Sequence, residues 1–372
     1  MIEIDTSKFD LPETHEPYTD KYFLRSNQVL KGEGMNPNVK MQIFIRRGPG
    51  RVFGIEEAIA ILDKYSNIRN SGRILALPEG SEYKPGEVVM QIEAPIQEII
   101  ELETMYLSAM SGKTSEAAGL RLDLQSITEN AKKVAAAAEG RPVVYFGARH
   151  WHWSRDAEIS KAAYDGGIKN CSTDVGAAAY GKVGLGTTPH VLMLMFGAKY
   201  GTQRGSVEAA KAFDKHVDKS VPRIMLIDTF NRELADAKLV LEELGGKIDG
   251  FRLDTCGENI GEGGTKNNGM QYETGNGVTI ELVKNFYQQL KSMGYVNKQI
   301  VLSSGFADAK KVAAFSAAEK KLGHRLFDSL GVGGLYKAIE TKADIVEVDG
   351  RRISKAGRFF RPIDRLEEVV LK

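Results

Sequence analysis

From residue 141 onward the chain repeats one pattern: a short apolar run, a turn of glycine or polar residues, then a stretch with apolar positions at helical spacing. The apolar runs are Val143–Phe146, Arg223–Ile227, Gly250–Leu253, Gln299–Leu302 and Phe327–Leu330. Short runs with no apolar/polar alternation suit strands buried on both faces, and the amphipathic stretches between them supply crossover helices, so the pattern predicts βα units and a parallel sheet. The runs end in GARH, DTF, DTCGE, SSGF and GVGG. Parallel strands bring their carboxyl-terminal loops to one mouth, and a barrel or partial barrel is the leading architecture.

Before residue 125 the rhythm differs. Extended runs at Met41–Arg46, Gly72–Leu77 and Val88–Ile92 are separated by turn signals at Gly48–Gly50 and Lys84–Glu87. Ile96, Ile99, Ile100, Met105 and Leu107 fall close to helical spacing after Pro95, which predicts one helix over Pro95–Met110. A second helix is expected over Glu116–Ala138, stopping before Gly140-Arg141-Pro142. The tail opens with a strand-like IVEVDG from Asp344, becomes basic in KAGRFFRP and is expected to end in a short helix. These changes divide an α/β chain into residues 1–125, rejoined by the tail 345–372, and a barrel unit over 126–344. No internal repeat or low-complexity tract interrupts them.

A length of 372 residues suits two domains, or a barrel with an appended domain. Hydrophobic residues make up 42%, and 50 Lys plus Arg stand against 49 Asp plus Glu for a net charge of +1. That balance argues against a nucleic-acid stripe or a membrane-binding surface, so an anionic ligand must be held by local charge. Cys171 and Cys256 are isolated, with no zinc spacing and no disulfide framework. The amino terminus carries acids and proline where a signal peptide needs basic and apolar residues, and no 18-residue apolar window occurs. The expected location is the cytoplasm.

Several loops carry candidate chemistry. Gly331, Gly333 and Gly334 precede LYKAIE, a plausible helix, so their N–H groups could cup a phosphate at its amino terminus; a plain turn is the alternative. Ser303, Ser304 and Gly305 offer a second cradle before a helix with Asp308 near its start. Arg252 and Asp254 share one strand face by the period of two. They suit ribose hydroxyls or a water-bridged Mg²⁺, with a structural ion pair as the alternative. Asp228 ends another strand in the same way, or caps a helix.

FGARHWHWSRD concentrates Arg149, His150, His152 and Arg155 among aromatics. An arginine fork and an aromatic face together suit a small flat anion, with packing as the plainer role. Thr187-Thr188-Pro189-His190 precedes an apolar run, and by itself His190 reads as a core histidine, with catalysis as the alternative.

Taken in order, these segments resemble the nicotinate phosphoribosyltransferase family over most of the chain. YTDKYF resembles its TD-x-Y motif, IELETMYLSAMS its LLET-type helix, FGAR its FG-x-R loop and GTTPH its GT-x-x-H segment. IDTF, FRLDTCGE, LSSGF, SLGVGG and KAGR follow in family order. The resemblance implies a sandwich-type first domain, an irregular α/β barrel and a head-to-tail homodimer or larger homo-oligomer. It implies phosphoribosyl pyrophosphate and nicotinate, or a related pyridine, as substrates, with Mg²⁺ and, in some members, ATP.

By motif, Phe146 and Tyr22 would stack on the ring, Tyr22 coming from the neighbouring subunit, and Arg149 would face the carboxylate. Arg252 and Asp254 would hold ribose hydroxyls, and Asp228 would lie near pyrophosphate or Mg²⁺. Ser304, Gly305, Gly333 and Gly334 would take the 5′-phosphate, while His190 matches a histidine phosphorylated from ATP. FGAR is followed by His150 rather than by a second arginine. Asp174, in STDVGA, occupies a position that is a hydroxyl or an acid among related enzymes; facing inward it would favour an amide ring over a carboxylate.

The reaction so implied needs mainly positioning and electrostatics: an oxocarbenium-like ribosyl centre beside Asp254, with Mg²⁺ on the departing pyrophosphate. Quinolinate or nicotinamide phosphoribosyltransferases are alternatives, as is a non-catalytic phosphoribosyl-binding protein. A Schiff-base lyase is disfavoured because none of the five strands carries a lysine.

Overall fold

A computed structural model describes all residues, 1–372. Six parallel strands form one sheet, in the order Asn170–Cys171, Val143–Tyr145, Ser329–Val332, Gln299–Leu302, Gly250–Leu253 and Ile224–Leu226. The two edge strands do not pair with each other. Residues 185–188 span the seam: the Leu185 amide donates to the Cys171 carbonyl at 2.8 Å, and the Leu226 amide donates to the Thr188 hydroxyl at 2.9 Å. The barrel is therefore irregular, with a hydrogen-bonded loop where a strand pair would close it.

Two of the apolar runs, Gly250–Leu253 and Gln299–Leu302, become strands with those bounds. The run placed at Phe327–Leu330 shifts to Ser329–Val332, because Gly331 lies inside the strand with the Phe146 ring packed where its side chain would be. No helix follows GVGG: residues 335–340 cross irregularly to the other sheet, and the Ile339 amide donates to the Ser115 hydroxyl at 2.8 Å. The expected phosphate cup at a helix terminus is thus absent at Gly333–Gly334. At the other cradle the helix Ala309–Leu322 forms, capped by the Asp308 carboxylate accepting from the Lys310 amide at 2.9 Å. Strand Asn170–Cys171 has no signature in the sequence because two residues carry no periodicity.

A seven-stranded sheet combines both ends of the chain. Its order is Ile2–Ile4, Glu367–Leu371, Arg73–Ala76, Val88–Pro95, Asn38–Ile45, Thr341–Val348 and Arg351–Arg352. The chain ends in strand Glu367–Leu371, not the expected helix, because Ile2–Ile4 and Arg73–Ala76 supply partners on both sides. Helices Lys21–Gly32 and Ile55–Tyr65, which the expected elements do not include, cover this half.

The single helix expected over Pro95–Met110 is broken. It runs as Ile96–Ile99, tightens to a 3₁₀ turn over Ile100–Leu102 and resumes as Glu103–Ala117. The following helix starts only at Leu124, after the Asp123 cap. Glu103–Ala117 is enclosed on nearly all sides, which erases an amphipathic signature. Its Ser111 and Thr341 hydroxyls meet at 3.0 Å, pinning it to the strand that returns from the barrel. One apolar cluster runs through both halves.

Gly54 precedes helix Ile55–Tyr65 with φ +84°, and a Cβ there would sit 2.6 Å from the Ala109 carbonyl oxygen. Both φ and contact oppose any side chain, so Gly54→Ala should cost about 2–4 kcal/mol. Denaturant melting of the variant tests this, and an unchanged midpoint would contradict the packing argument. No helix is long and apolar enough to cross a membrane.

Candidate active site

The carboxyl ends of the barrel strands open into a cavity of about 710 Å³, roofed by the returning strand Thr341–Val348 and the basic segment after it. Three groups of side chains line it.

The first is aromatic and charged. Tyr22, Phe23, Phe146, Arg149 and Glu103 share this wall. Phe146 follows strand Val143–Tyr145 and lies against Gly331, with the Arg252 guanidinium 5.8 Å from its ring centre. Tyr22, on the first turn of helix Lys21–Gly32, packs edge-on against Phe23 at 4.5 Å. The resemblance implies delivery of Tyr22 from a neighbouring subunit, whereas here it reaches the cavity of its own chain.

Arg149 is already engaged: its Nη1 donates to Glu103 at 2.7 Å, and its Nε lies 3.5 Å from Asp20. Burial raises the Glu103 carboxyl to about 7 even against the pull of Arg149. His150 packs on Gly333 and sits 3.4 Å from Glu340; burial lowers its imidazole to about 4, so it is neutral near pH 7.

The second group surrounds Asp254. Its Oδ1 accepts from the Ser303 hydroxyl at 2.7 Å, and its Oδ2 lies 3.8 Å from His190. Arg252 and Asp254 both face the cavity, as their spacing predicts, but they make no ion pair; Arg252 donates to the Thr188 carbonyl at 3.1 Å. The closest cation to this group is Lys355. Its Nζ lies 2.6 Å from Asp228, 2.7 Å from His190 Nε2 and 3.1 Å from the Asp254 carbonyl.

His190 Nε2 thus lies between the Lys355 ammonium, which can only donate, and the Asp228 carboxylate 3.1 Å away, which can only accept, and the two compete for one nitrogen. Burial and then the Lys355 charge lower the His190 pKa. Burial opposes ionisation of Asp254, yet Lys355 and Arg252 hold its carboxyl below the usual range. Asp228 is likewise held far down by Lys355 and His190 against its burial. His190 therefore lies in the cavity wall as the first residue of helix His190–Tyr200, and is not a core residue.

The third group is the turn Ser303-Ser304-Gly305 with Gly333 and Gly334 across from it, where Ala307 approaches within 3.7 Å of a Cβ built on Gly334. Ser304 and Gly305 both adopt left-handed φ, +72° and +81°, which turns the loop back over the cavity. Lys311 braces it from beneath, donating to the Ser304 carbonyl at 3.0 Å.

Three candidate residues lie elsewhere. Asp174 does not line the cavity; it caps the loop by accepting from the Gly184 amide at 2.9 Å and pairs with Lys21. The Thr188 hydroxyl is consumed at the barrel seam. Asp228 is completely buried behind His190 and Lys355, which occupy its oxygens. Direct coordination of a cation by Asp228 does not fit, whereas Asp254 lines the cavity. The WHWSRD stretch also divides: His152 and Trp153 both bond Glu57 at 2.9 Å and fasten the halves together.

Lys355, Arg358, Arg46, Lys342 and Glu103 also line the cavity, although sequence reasoning does not single them out. KAGR and the ELET helix are their only signals, and neither motif alone says where its side chains will arrive.

The chain is similar to several known proteins. A family model described as the quinolinate phosphoribosyl transferase N-terminal domain matches residues 20–112. The nicotinate phosphoribosyltransferase pncB2 of Mycobacterium tuberculosis is 26% identical over 351 residues, covering 85% of this chain and 65% of that protein. The chain thus spans just under two thirds of that relative. The pncB1 protein of the same organism is 25% identical over 380 residues, covering 94% and 77%. In fold, the chain is similar to the crystal structure of a nicotinate phosphoribosyltransferase from Vibrio cholerae, with a TM-score of 0.67 at 15% identity over 91% of this chain and 87% of that one. The ordered motifs converge on one cavity in this fold, and the chain is similar in sequence and in fold to nicotinate phosphoribosyltransferases.

Proposed function

We propose that the chain joins nicotinate to the ribose of phosphoribosyl pyrophosphate, forming nicotinate mononucleotide and releasing pyrophosphate, a step of NAD biosynthesis. The observation that carries this reading is one cavity holding an aromatic wall with Arg149, a carboxylate at Asp254 and the Ser303–Gly305 turn facing Gly333–Gly334. A flat ring, a ribosyl centre and a terminal phosphate each find matching chemistry there. The single arginine beside the aromatics is already countered by Glu103 and Asp20, which favours a ring with one acidic group over a dicarboxylate such as quinolinate.

In the reaction the pyridine nitrogen gives its electron pair to ribose C1, and the C1–O bond to pyrophosphate breaks with that pair leaving on oxygen. Phe146 and Tyr22 hold the ring plane, and the Asp254 carboxylate stabilises positive charge growing on the ribosyl centre. Lys355, Arg358, Lys342 and Arg46 give the departing anion a cationic wall. Mg²⁺ would supply further charge neutralisation, held by Asp254 and pyrophosphate oxygens; one free carboxylate plus substrate oxygens is a donor set that ion accepts. His190 would accept a phosphoryl group from ATP only with its Nε2 released by Lys355. A homodimer and a cytoplasmic location belong to the same reading.

Incubation with phosphoribosyl pyrophosphate and Mg²⁺, offering nicotinate, nicotinamide and quinolinate separately with and without ATP, tests it. Nicotinate mononucleotide is the expected product. Turnover of quinolinate alone would move the substrate, and no turnover of any ring would favour a binding protein. Phe146→Ala should raise KM for the pyridine roughly tenfold with a smaller change in kcat, since it removes stacking worth about 1–1.5 kcal/mol. An unchanged KM would take Phe146 off the ring.

A further inference from the structure

We propose that Glu103 decides the ring substituent by competing with it for Arg149: a carboxylate ring enters with a solvent proton taken up by Glu103, whereas a neutral amide ring is accepted with Glu103 ionised. The proposal rests on the pyridine reading above and adds to it the group that selects among pyridines.

The geometry begins with two carboxylates on one guanidinium. Glu103 opens the buried helix Glu103–Ala117 and meets Arg149 Nη1 at 2.7 Å. Asp20, just before helix Lys21–Gly32, faces Arg149 Nε at 3.5 Å and accepts from the Thr104 hydroxyl at 3.1 Å through the same oxygen. Its other oxygen, Oδ1, is buried with no partner. With both acids ionised the cluster carries a net negative charge in a site that excludes most solvent. A ring carboxylate placed on Arg149 would bring a third anion to one cation, and like charges at such range strongly disfavour joint ionisation.

Every neighbouring element enters the balance. Arg149 comes from the loop after strand Val143–Tyr145, Asp20 from the residue before helix Lys21–Gly32 and Tyr22 from that helix, Tyr106 from the helix of Glu103 itself, and Asp344 from the returning strand. Burial is the largest influence on the Glu103 carboxyl; Arg149 pulls it down while Asp20 and Asp344 push it up, leaving it at about 7. Glu103 therefore takes a proton at little cost near neutral pH. Protonated, it releases Arg149 to the ligand and can itself donate a hydrogen bond to the ring carboxylate. Ionised, it can accept one from an amide N–H₂.

The sign of the pH dependence follows. Below about 7 Glu103 is already neutral and nicotinate meets a free arginine. Above it each binding event must draw a proton, so kcat/KM for nicotinate should fall about tenfold per pH unit. The amide ring needs no proton and should show a flat or rising profile.

The test is kcat/KM against pH from 6 to 9 for nicotinate and nicotinamide, at saturating phosphoribosyl pyrophosphate and Mg²⁺, for the full chain and for Glu103→Gln. The glutamine should flatten the nicotinate profile and raise nicotinate kcat/KM at pH 8.5 at least tenfold over the unsubstituted chain. An unaltered slope in the variant would overturn the proposal. Should the variant not fold, calorimetry of nicotinate binding to the unsubstituted chain at pH 8, in buffers of different ionisation enthalpy, decides the same question: about one proton taken up per ligand supports the proposal and none overturns it. Absence of both turnover and binding for every ring would overturn the pyridine reading, and the role of Glu103 with it.

Discussion

Lys355→Met is expected to destabilise the chain by about 3–5 kcal/mol at pH 8.5 and by much less at pH 5.5. The Lys355 ammonium is the charge that permits Asp228 to remain ionised with its side chain entirely buried. Methionine keeps most of the volume and removes the charge, leaving a buried carboxylate whose other neighbour is the neutral His190 ring. His190 would then lose the Lys355 charge but keep burial, which lowers its pKa most, against the two carboxylates that raise it. In the variant its folded pKa should rise above that in the unsubstituted chain.

Relative to the unsubstituted chain, the raised pKa lets the variant regain stability as pH falls through it and lose it again as pH rises. At low pH the imidazolium takes over the role of the missing ammonium. Urea melts of both proteins at the two pH values measure this, and equal destabilisation at both would mean that Lys355 does not govern the Asp228–His190 pair. Activity should fall at both, because Lys355 also lines the cavity.

Asp254→Asn should lower kcat by about 10²–10³ while changing stability by less than about 1 kcal/mol. The amide oxygen can accept the Ser303 hydroxyl bond that Asp254 Oδ1 accepts, so the local turn survives. What disappears is the negative charge, held by Lys355 and Arg252 below the usual carboxylate range, that faces the ribosyl centre. A charge acting only as the transition state develops affects kcat more than KM. Steady-state kinetics with a parallel melting curve separate the two effects, and near-normal turnover would remove Asp254 from the mechanism.

The local alphabet of the barrel was legible. Gly250–Leu253 and Gln299–Leu302 are short, wholly apolar-faced runs, and such strands end where their polar turns begin, so neighbours in sequence suffice to bound them. For the same reason Arg252 and Asp254 could be placed on one face, and the Asp308 cap could be read from the sequence. Elements whose surroundings come from far along the chain were not. Glu103–Ala117 lost its period because partners enclose it, LYKAIE gave up a helix for bonds to Ser115, and Gly331 became strand because Phe146 covers it.

The same division holds for the site. The residue types able to bind a flat anion, a ribose and a phosphate were determined by sequence, since each type's chemistry travels with its side chain. Which of them meet was decided by tertiary structure. Asp174 was drawn to Lys21 and Gly184, and Thr188 to the barrel seam. Lys355 came within 2.7 Å of His190 across 165 positions, and Glu103 within 2.7 Å of Arg149 across 46. Charges so placed pair according to distance and burial, quantities that arise only when strand Thr341–Val348 crosses back over the barrel and brings the remote segments together.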